Sequence, residues 1–156
     1  MKEDIKRPVF PKRAVITAGM PYGNKELHFG HIGGMFVHAD TYARFLRDRI
    51  GAENVIFVSG TDCYGSPILE SFRKLKESGM SKDESITEYV ESNHIKQKKT
   101  LDAYEISLNH FGASGLYKDK EIHRQVSNEV FETLYKSGYL SVMSTPQFFD
   151  PKFMIL

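Results

Sequence analysis

The chain has 156 residues, the size of one domain, and 40% of them are hydrophobic and 12% aromatic, enough to bury a core. Its 21 basic and 20 acidic side chains leave a formal net charge of +1, which gives no global positive field to draw the domain onto DNA or RNA. The single cysteine, Cys63, excludes a disulfide framework and a cysteine-rich zinc cluster, and points to a reducing, cytoplasmic setting.

The charged N-terminal stretch MKEDIKRPVFPKR has no apolar segment of the signal-peptide kind, and no apolar run approaches the ~20 residues of a membrane span. RAVITAG (13–19) is a short apolar run stopped by glycine and predicts a buried strand. AGMPYGNKELHFGH (18–31) then reads as a loop. From about His28 to Ile50, Ile32, Met35, Phe36, Ala39, Ala43 and Leu46 recur at three- and four-residue spacing, a helical period that Gly51 ends. NVIFVSG (54–60) repeats the strand-then-glycine pattern, followed by the loop TDCYGSP and a helix from about Ile68 to Ser78. Successive strand, loop and helix units predict an α/β fold, a parallel sheet with helices packed on it.

The polar middle, SKDESITEYVESNHIKQKKTLDAYEI (81–106), predicts a helix whose start is marked by Ser81 and, three residues on, Glu84, a capping-box pattern. LNHFGASGLYKD (108–119) reads as an irregular connector. A further helix, roughly Glu121 to Lys136, carries Ile122, Val126, Val130 and Leu134 four apart and closes at Gly138. The tail from Tyr139 alternates as a strand and stops on an apolar run at Leu156, so 1–156 is expected to be a partial domain, cut at its C-terminal end.

In an open parallel sheet, ligands sit at the carboxyl ends of the strands, and two loops here follow strands. In the first, His28 and His31 are three apart at a helix start and share a side. A helix N-terminus offers free N–H groups and a positive dipole end that favour phosphate. Imidazole N–H donors there can stabilise charge building on a displaced phosphate. Gly30 between them lets a flat base or a backbone approach closely. A plain helix start is the other reading of the pair. A metal site is disfavoured, because no third His or Cys lies nearby and Asp62 is the only acidic candidate. His38, His94, His110 and His123 read as ordinary surface or core residues. In the second loop, Asp62 directly follows a strand, where a carboxylate can bind an ammonium group or a hydroxyl; a turn aspartate is the alternative. Cys63 has no adjacent activator, which argues against a nucleophile.

The combination is more specific than either loop alone. MPYGNKELHFGH resembles the first signature of the class I aminoacyl-tRNA synthetases, Pro-Tyr-x-Asn-x-x-Leu-His-x-Gly-His, at Pro21, Tyr22, Asn24, Leu27, His28, Gly30 and His31. VIFVSGTDCYGSPI resembles the second strand and loop of the same catalytic domain. Thr61 of Gly-Thr-Asp points to the methionyl branch, although Asp-Cys-x-Gly-x-Pro-Ile keeps an isoleucyl flavour. LDAYEISLNHFGAS and FFDPKFMIL resemble further methionyl-branch segments, so the resemblance runs from about Ala14 to Leu156.

The resemblance implies a Rossmann-like, doubly wound parallel sheet, of which this chain is the first half. It implies attack of methionine's carboxylate on the α-phosphate of ATP, which arrives with Mg2+, and transfer of the acyl group to tRNA through regions outside this chain. By resemblance, His28 and His31 hold ATP phosphates in the transition state, Gly30 lies beneath the adenine, and Asn24 is a further nucleotide contact. Asp62 pairs with the methionine ammonium, and Met20 and Tyr22 line its side-chain pocket. No metal ligand is implied within the chain, and any zinc site lies outside it. The implied setting is cytoplasmic, with no membrane partner.

Tyr64 stands where the family usually has histidine, which leaves amino-acid choice open. GMSKDES (79–85) mimics part of the family's lysine loop but falls at the capping-box pattern between helices. Without that loop's lysine and the far wall of the methionine pocket, these residues alone are expected to bind weakly and turn over little or nothing. The alternatives are a synthetase-like paralogue that binds an amino acid, nucleotide or partner without charging tRNA, and a small nucleotidylyltransferase that also uses His-x-Gly-His. The latter's Phe-x-Pro-x-His context is absent here.

Overall fold

Strand pairing sets the frame. In a computed structural model that describes residues 9–80, 85–146 and 148, three parallel strands lie in the order β1 (Ala14–Thr17), β2 (Val55–Thr61) and β3 (His110–Ala113). Ala14 pairs with Val55 and Val58 with His110. β2, the longest of the three, takes the centre, where both of its edges find partners.

A continuous helical run succeeds the first loop: α1 (Phe29–His31), a π turn (Ile32–Phe36) and α2 (Val37–Ile50). The π turn coincides with Gly33 and Gly34; a side chain at Gly33 would crowd the Phe29 ring, 3.2 Å from its Cζ. Gly51, at φ 93°, ends α2 as expected. A 3-10 turn (Ala52–Asn54) leads into β2, and α3 (Ser66–Glu77), α4 (Ile86–Ala103) and α5 (Tyr117–Lys136) complete the described elements.

Phe36, Ala43 and Leu46 pack on Ile16, Val55 and Phe57, with Leu101 and Ile106 closing the cluster. A fully buried Phe contributes roughly 1.5–3 kcal/mol, and Phe36 and Phe57 are both fully buried here. A second cluster of Ile68, Tyr89, Val90, Ala113 and Leu116 joins α3, α4 and the start of α5. α2 and α4 thus lie over one face of the sheet, while Val15 and Ile56, of the opposite parity, stay exposed. α5 sets out over the other face, where Ile122 and Val126 share a cavity with Gly60 and Gly112.

Four expectations change. The segment 108–119, expected to be irregular, contains β3: four residues, HFGA, carry no strand signal of their own and are ordered by the edge of β2. α5 begins at Tyr117 rather than Glu121, and its Ile122–Val126–Val130–Leu134 stripe is exposed. α4 starts with a capping box between Ser85 and Glu88; the Ser81–Glu84 pattern lies outside the described residues. The expected strand after Tyr139 is not formed over residues 139–146, and residues 147 and 149–156 lie outside the described residues. No helix among the described residues is long and apolar enough to cross a membrane.

α2 is tied to the loop before β3 by one buried carboxylate. Asp40 accepts hydrogen bonds from the Ser107 N–H (2.7 Å), the Ser107 hydroxyl and Arg44 Nε (2.7 Å). Burial alone would raise this carboxyl, but the Ser107 and Arg44 hydrogen bonds outweigh it and hold it below the usual carboxylate range. Arg44 also reaches Glu105 O (2.6 Å), and Arg47 reaches Ser107 O (3.0 Å) and Asn109 Oδ1 (2.7 Å).

α4 holds the first loop through a row of polar side chains four residues apart. The Tyr89 hydroxyl donates to Asn24 O. Asn93 Nδ2 donates to Gly23 O at 3.1 Å. Gln97 Nε2 donates to both Tyr22 O (2.9 Å) and Lys25 O (2.8 Å). Next to this row, buried His94 meets the Thr61 hydroxyl through Nδ1 at 2.8 Å.

These contacts make stability sensitive at two points. Asp40→Ala strands the Ser107 donors and Arg44, and is expected to cost about 1–3 kcal/mol in urea denaturation, with Asp40→Asn losing less. The pKa of His94 is lowered from 6.5 chiefly by burial, with Lys98 and His110 pushing the same way and Asp119 and Glu91 opposing. An unfolded histidine takes up a proton near its ordinary value while His94 does not, so stability is lost as pH falls through that value. The urea midpoint is expected to drop between about pH 7.5 and about pH 5.5, and to drop less in His94→Asn.

Candidate functional site

The loops leaving β1 and β2 meet above the carboxyl ends of the strands. Their backbones are zipped together: Gly23 N donates to Asp62 O and Asp62 N to Pro21 O, each at 2.8 Å, which makes a bridge between Tyr22 and Asp62. This extends the sheet one step past its strands and sets the two sequence-identified loops side by side. Gly23 is buried at the crossing, and an added Cβ there would approach Val90 Cγ1 to 2.8 Å.

His28 and His31 come together as the spacing requires, but His28 is the residue before the helix rather than its first turn. It caps α1 from an extended conformation, with φ −108° and ψ 171°. Its Nδ1 accepts from Gly30 N at 3.1 Å, and its own N–H donates to His31 Nδ1 at 3.2 Å. The two rings stack with centroids 3.8 Å apart. This is a capping box built from two imidazoles instead of a hydroxyl and a carboxylate. Each neutral ring accepts at Nδ1 and therefore carries its proton on Nε2. The pair can present two N–H donors to an anionic oxygen without carrying charge. Burial, then the neighbouring His28 and Lys25, lower the His31 pKa, which favours that neutral form. Gly30 is fixed by the same geometry, since a Cβ there would lie 3.0 Å from the His28 ring.

Asp62 is half-buried, and Oδ1 accepts from Tyr64 N at 3.1 Å, so the turn reading of this residue is correct as far as it goes. Oδ2 has no protein partner among the described residues and is available to a ligand. Tyr22 leans on the second loop, its Cε1 3.6 Å from the position of a Cβ on Gly65. Met20, half-exposed, lines a mainly apolar cavity of about 320 Å³ with Gly60, Gly112, Ile122, His123 and Val126. Asn24 points elsewhere: its Nδ2 donates to Ser71 Oγ on α3 at 3.3 Å, and its covered Oδ1 has no partner among the described residues. Reaching a ligand would require that amide to turn.

Cys63 is half-buried, and burial raises its thiol pKa, consistent with its exclusion as a nucleophile. Tyr64 stacks on His123, with centroids 6.1 Å apart. Among the described residues, no group of three or more His, Cys, Asp or Glu side chains could hold a metal ion. The support behind the site has little sequence signal: Tyr89, Asn93 and Gln97 stand out only as polar residues four apart, and His94 as an ordinary histidine.

The family model described as tRNA synthetases class I (M) matches residues 14–155. The methionine–tRNA ligase of Cytophaga hutchinsonii is 34% identical over 142 residues, covering 91% of this chain and 19% of that protein. The methionine–tRNA ligase of Pyrococcus abyssi is 38% identical over 135 residues, covering 86% of this chain and 17% of that protein. The chain therefore spans about a fifth of the length of these relatives. The Mycobacterium tuberculosis methionyl-tRNA synthetase bound by methionyl-adenylate shares the fold, with a TM-score of 0.66 at 23% identity over 81% of this chain and 22% of that one. With the signature residues at the mouths of β1 and β2 and a match over nearly its whole length, the chain belongs to the class I tRNA synthetases of the methionyl group.

Proposed function

We propose that the chain supplies the first part of the nucleotide-binding catalytic domain of a methionine–tRNA ligase. In that reaction a methionine carboxylate oxygen attacks the α-phosphorus of ATP, the bond to the bridging oxygen of pyrophosphate breaks, and methionyl-adenylate forms. The acyl group then passes to tRNA. The observation that carries the reading is the imidazole pair: two neutral rings locked by backbone N–H groups at the start of a 22-residue helical run, beside the Tyr22–Asp62 bridge. Rigid donors aimed where negative charge develops are what phosphoryl and nucleotidyl transfer demand of a protein, because the chemistry itself needs positioning more than proton transfer.

In this reading His28 and His31 donate from Nε2 to phosphate oxygens of ATP, which enters as its Mg2+ complex. Gly30, which has no side chain, leaves room for the His28 ring and for the nucleotide. The Asp62 carboxylate pairs with the methionine ammonium through the oxygen its turn leaves free. Met20 and its apolar cavity support a place for an unbranched thioether, which apolar side chains accommodate readily. Tyr22 borders the amino acid from the opposite loop, and Asn24 serves the nucleotide after its amide turns.

Calorimetry with a non-hydrolysable methionyl-adenylate analogue is expected to show binding by the wild type, at least ~10-fold weaker binding by Asp62→Ala, and weaker binding of the isoleucyl analogue. If the protein binds no amino acid and no adenylate, the reading is wrong. In the full-length ligase, His28→Ala or His31→Ala is expected to slow methionine-dependent exchange of pyrophosphate into ATP by ~100-fold while methionine affinity stays within ~3-fold. Equal losses in both would remove the histidines from the transition state.

A further inference from the structure

The donors and acceptors around Thr61 can be assigned completely. Gln97 commits its amide protons to Tyr22 O and Lys25 O, so its Oε1 can only accept. The Thr61 hydroxyl has one proton and gives it to Gln97 Oε1 at 2.7 Å. Towards His94 Nδ1, 2.8 Å away, the Thr61 oxygen must therefore accept, and Nδ1 must carry the proton. This is the opposite tautomer to that of His28 and His31. Thr61, His94 and Gln97 are all buried, so no solvent can take over these bonds. His94 is held flat against Phe111, with an interplanar angle of 3° and centroids 5.3 Å apart.

This joint stands between the two halves of the amino-acid side. Thr61 is the last residue of β2, and the next residue is Asp62. Gln97 grips the carbonyl of Tyr22. One hydroxyl thus ties the strand that carries Asp62 to the helix that holds Tyr22. We propose that Thr61, His94 and Gln97 are positioning residues that brace the Tyr22–Asp62 bridge from the α4 side and so set affinity for methionine rather than for ATP. The proposal rests on the reading above, in which Asp62 and Tyr22 face the amino acid.

Thr61→Val keeps the shape and removes the hydroxyl; His94→Phe keeps an aromatic ring against Phe111 and removes the donor. Each is expected to weaken methionine binding by ~10-fold or more in calorimetry, with ATP affinity changed by less than ~3-fold. Thr61→Ser and His94→Asn, which retain the hydroxyl and an N–H donor, are expected to return methionine binding to within ~3-fold of wild type. Imidazole nitrogen NMR is expected to show His94 protonated at Nδ1 in the wild type and in Thr61→Ser. Equal losses for both ligands, losses that merely track the melting temperature, failure of the conservative variants to rescue, or a His94 protonated at Nε2 would each overturn the proposal. A wild type that binds ATP but no methionine or adenylate removes the reading of Asp62 and Tyr22, and the proposal with it, whereas a wild type that binds both with no split among the variants removes the proposal alone.

Discussion

A loop that crosses the end of a sheet can give few of its carbonyls to that sheet, and this molecule meets that constraint with one helix. Between Pro21 and His28 the chain leaves β1 and must cross the end of the sheet with its backbone partly covered. Each buried carbonyl left without a donor costs roughly 1–3 kcal/mol. The carbonyls of residues 22 to 25 all receive side-chain donors from α4, through Tyr89, Asn93 and Gln97. The sequence of α4 makes sense only in that light. With Asn93, His94 and Gln97 buried beside Tyr89, Val90 and Leu101, α4 both packs into the core and supports irregular backbone.

The two ends of the same loop are then free to specialise. Near its start, backbone hydrogen bonds to the second loop bring Tyr22 next to Asp62. At its far end, the histidines use short-range hydrogen bonds of the capping kind, which need only a few residues to form. The site is therefore assembled from local turns whose mutual placement comes from long-range contacts with α4. Rigidity at the imidazole pair and rigidity at the Tyr22–Asp62 bridge have separate sources, so a change at one end need not disturb the other.

Much of the fold is legible in the sequence where period and punctuation agree. β1 and β2 are apolar runs ended by glycine or threonine, and α2 shows a clean apolar stripe up to Gly51. β3 is not legible, because His110, Phe111, Gly112 and Ala113 become a strand only through the free edge of β2. For α4 the chain offers two capping-box patterns in succession, Ser81 with Glu84 and Ser85 with Glu88, and the Ser85 box caps the described helix. In the site, His28, His31, Tyr22 and Asp62 are legible from motif spacing. The joint of Thr61, His94 and Gln97 is not, since a buried polar network has no periodic signature and its value lies in partners distant in sequence.

The π turn over Ile32–Phe36 gives the helical run a second property. A π turn amounts to one additional residue wound into an α-helix, and one residue turns a helix by about 100°. The facing of the imidazole pair is thereby offset from the facing of the apolar residues from Phe36 onward. Without the extra residue, seating Ala43 and Leu46 in the core would swing the histidines about a quarter-turn around the axis. The π turn acts as a phase-setting element, and the length of this segment bears on which way the mouth of the helix points.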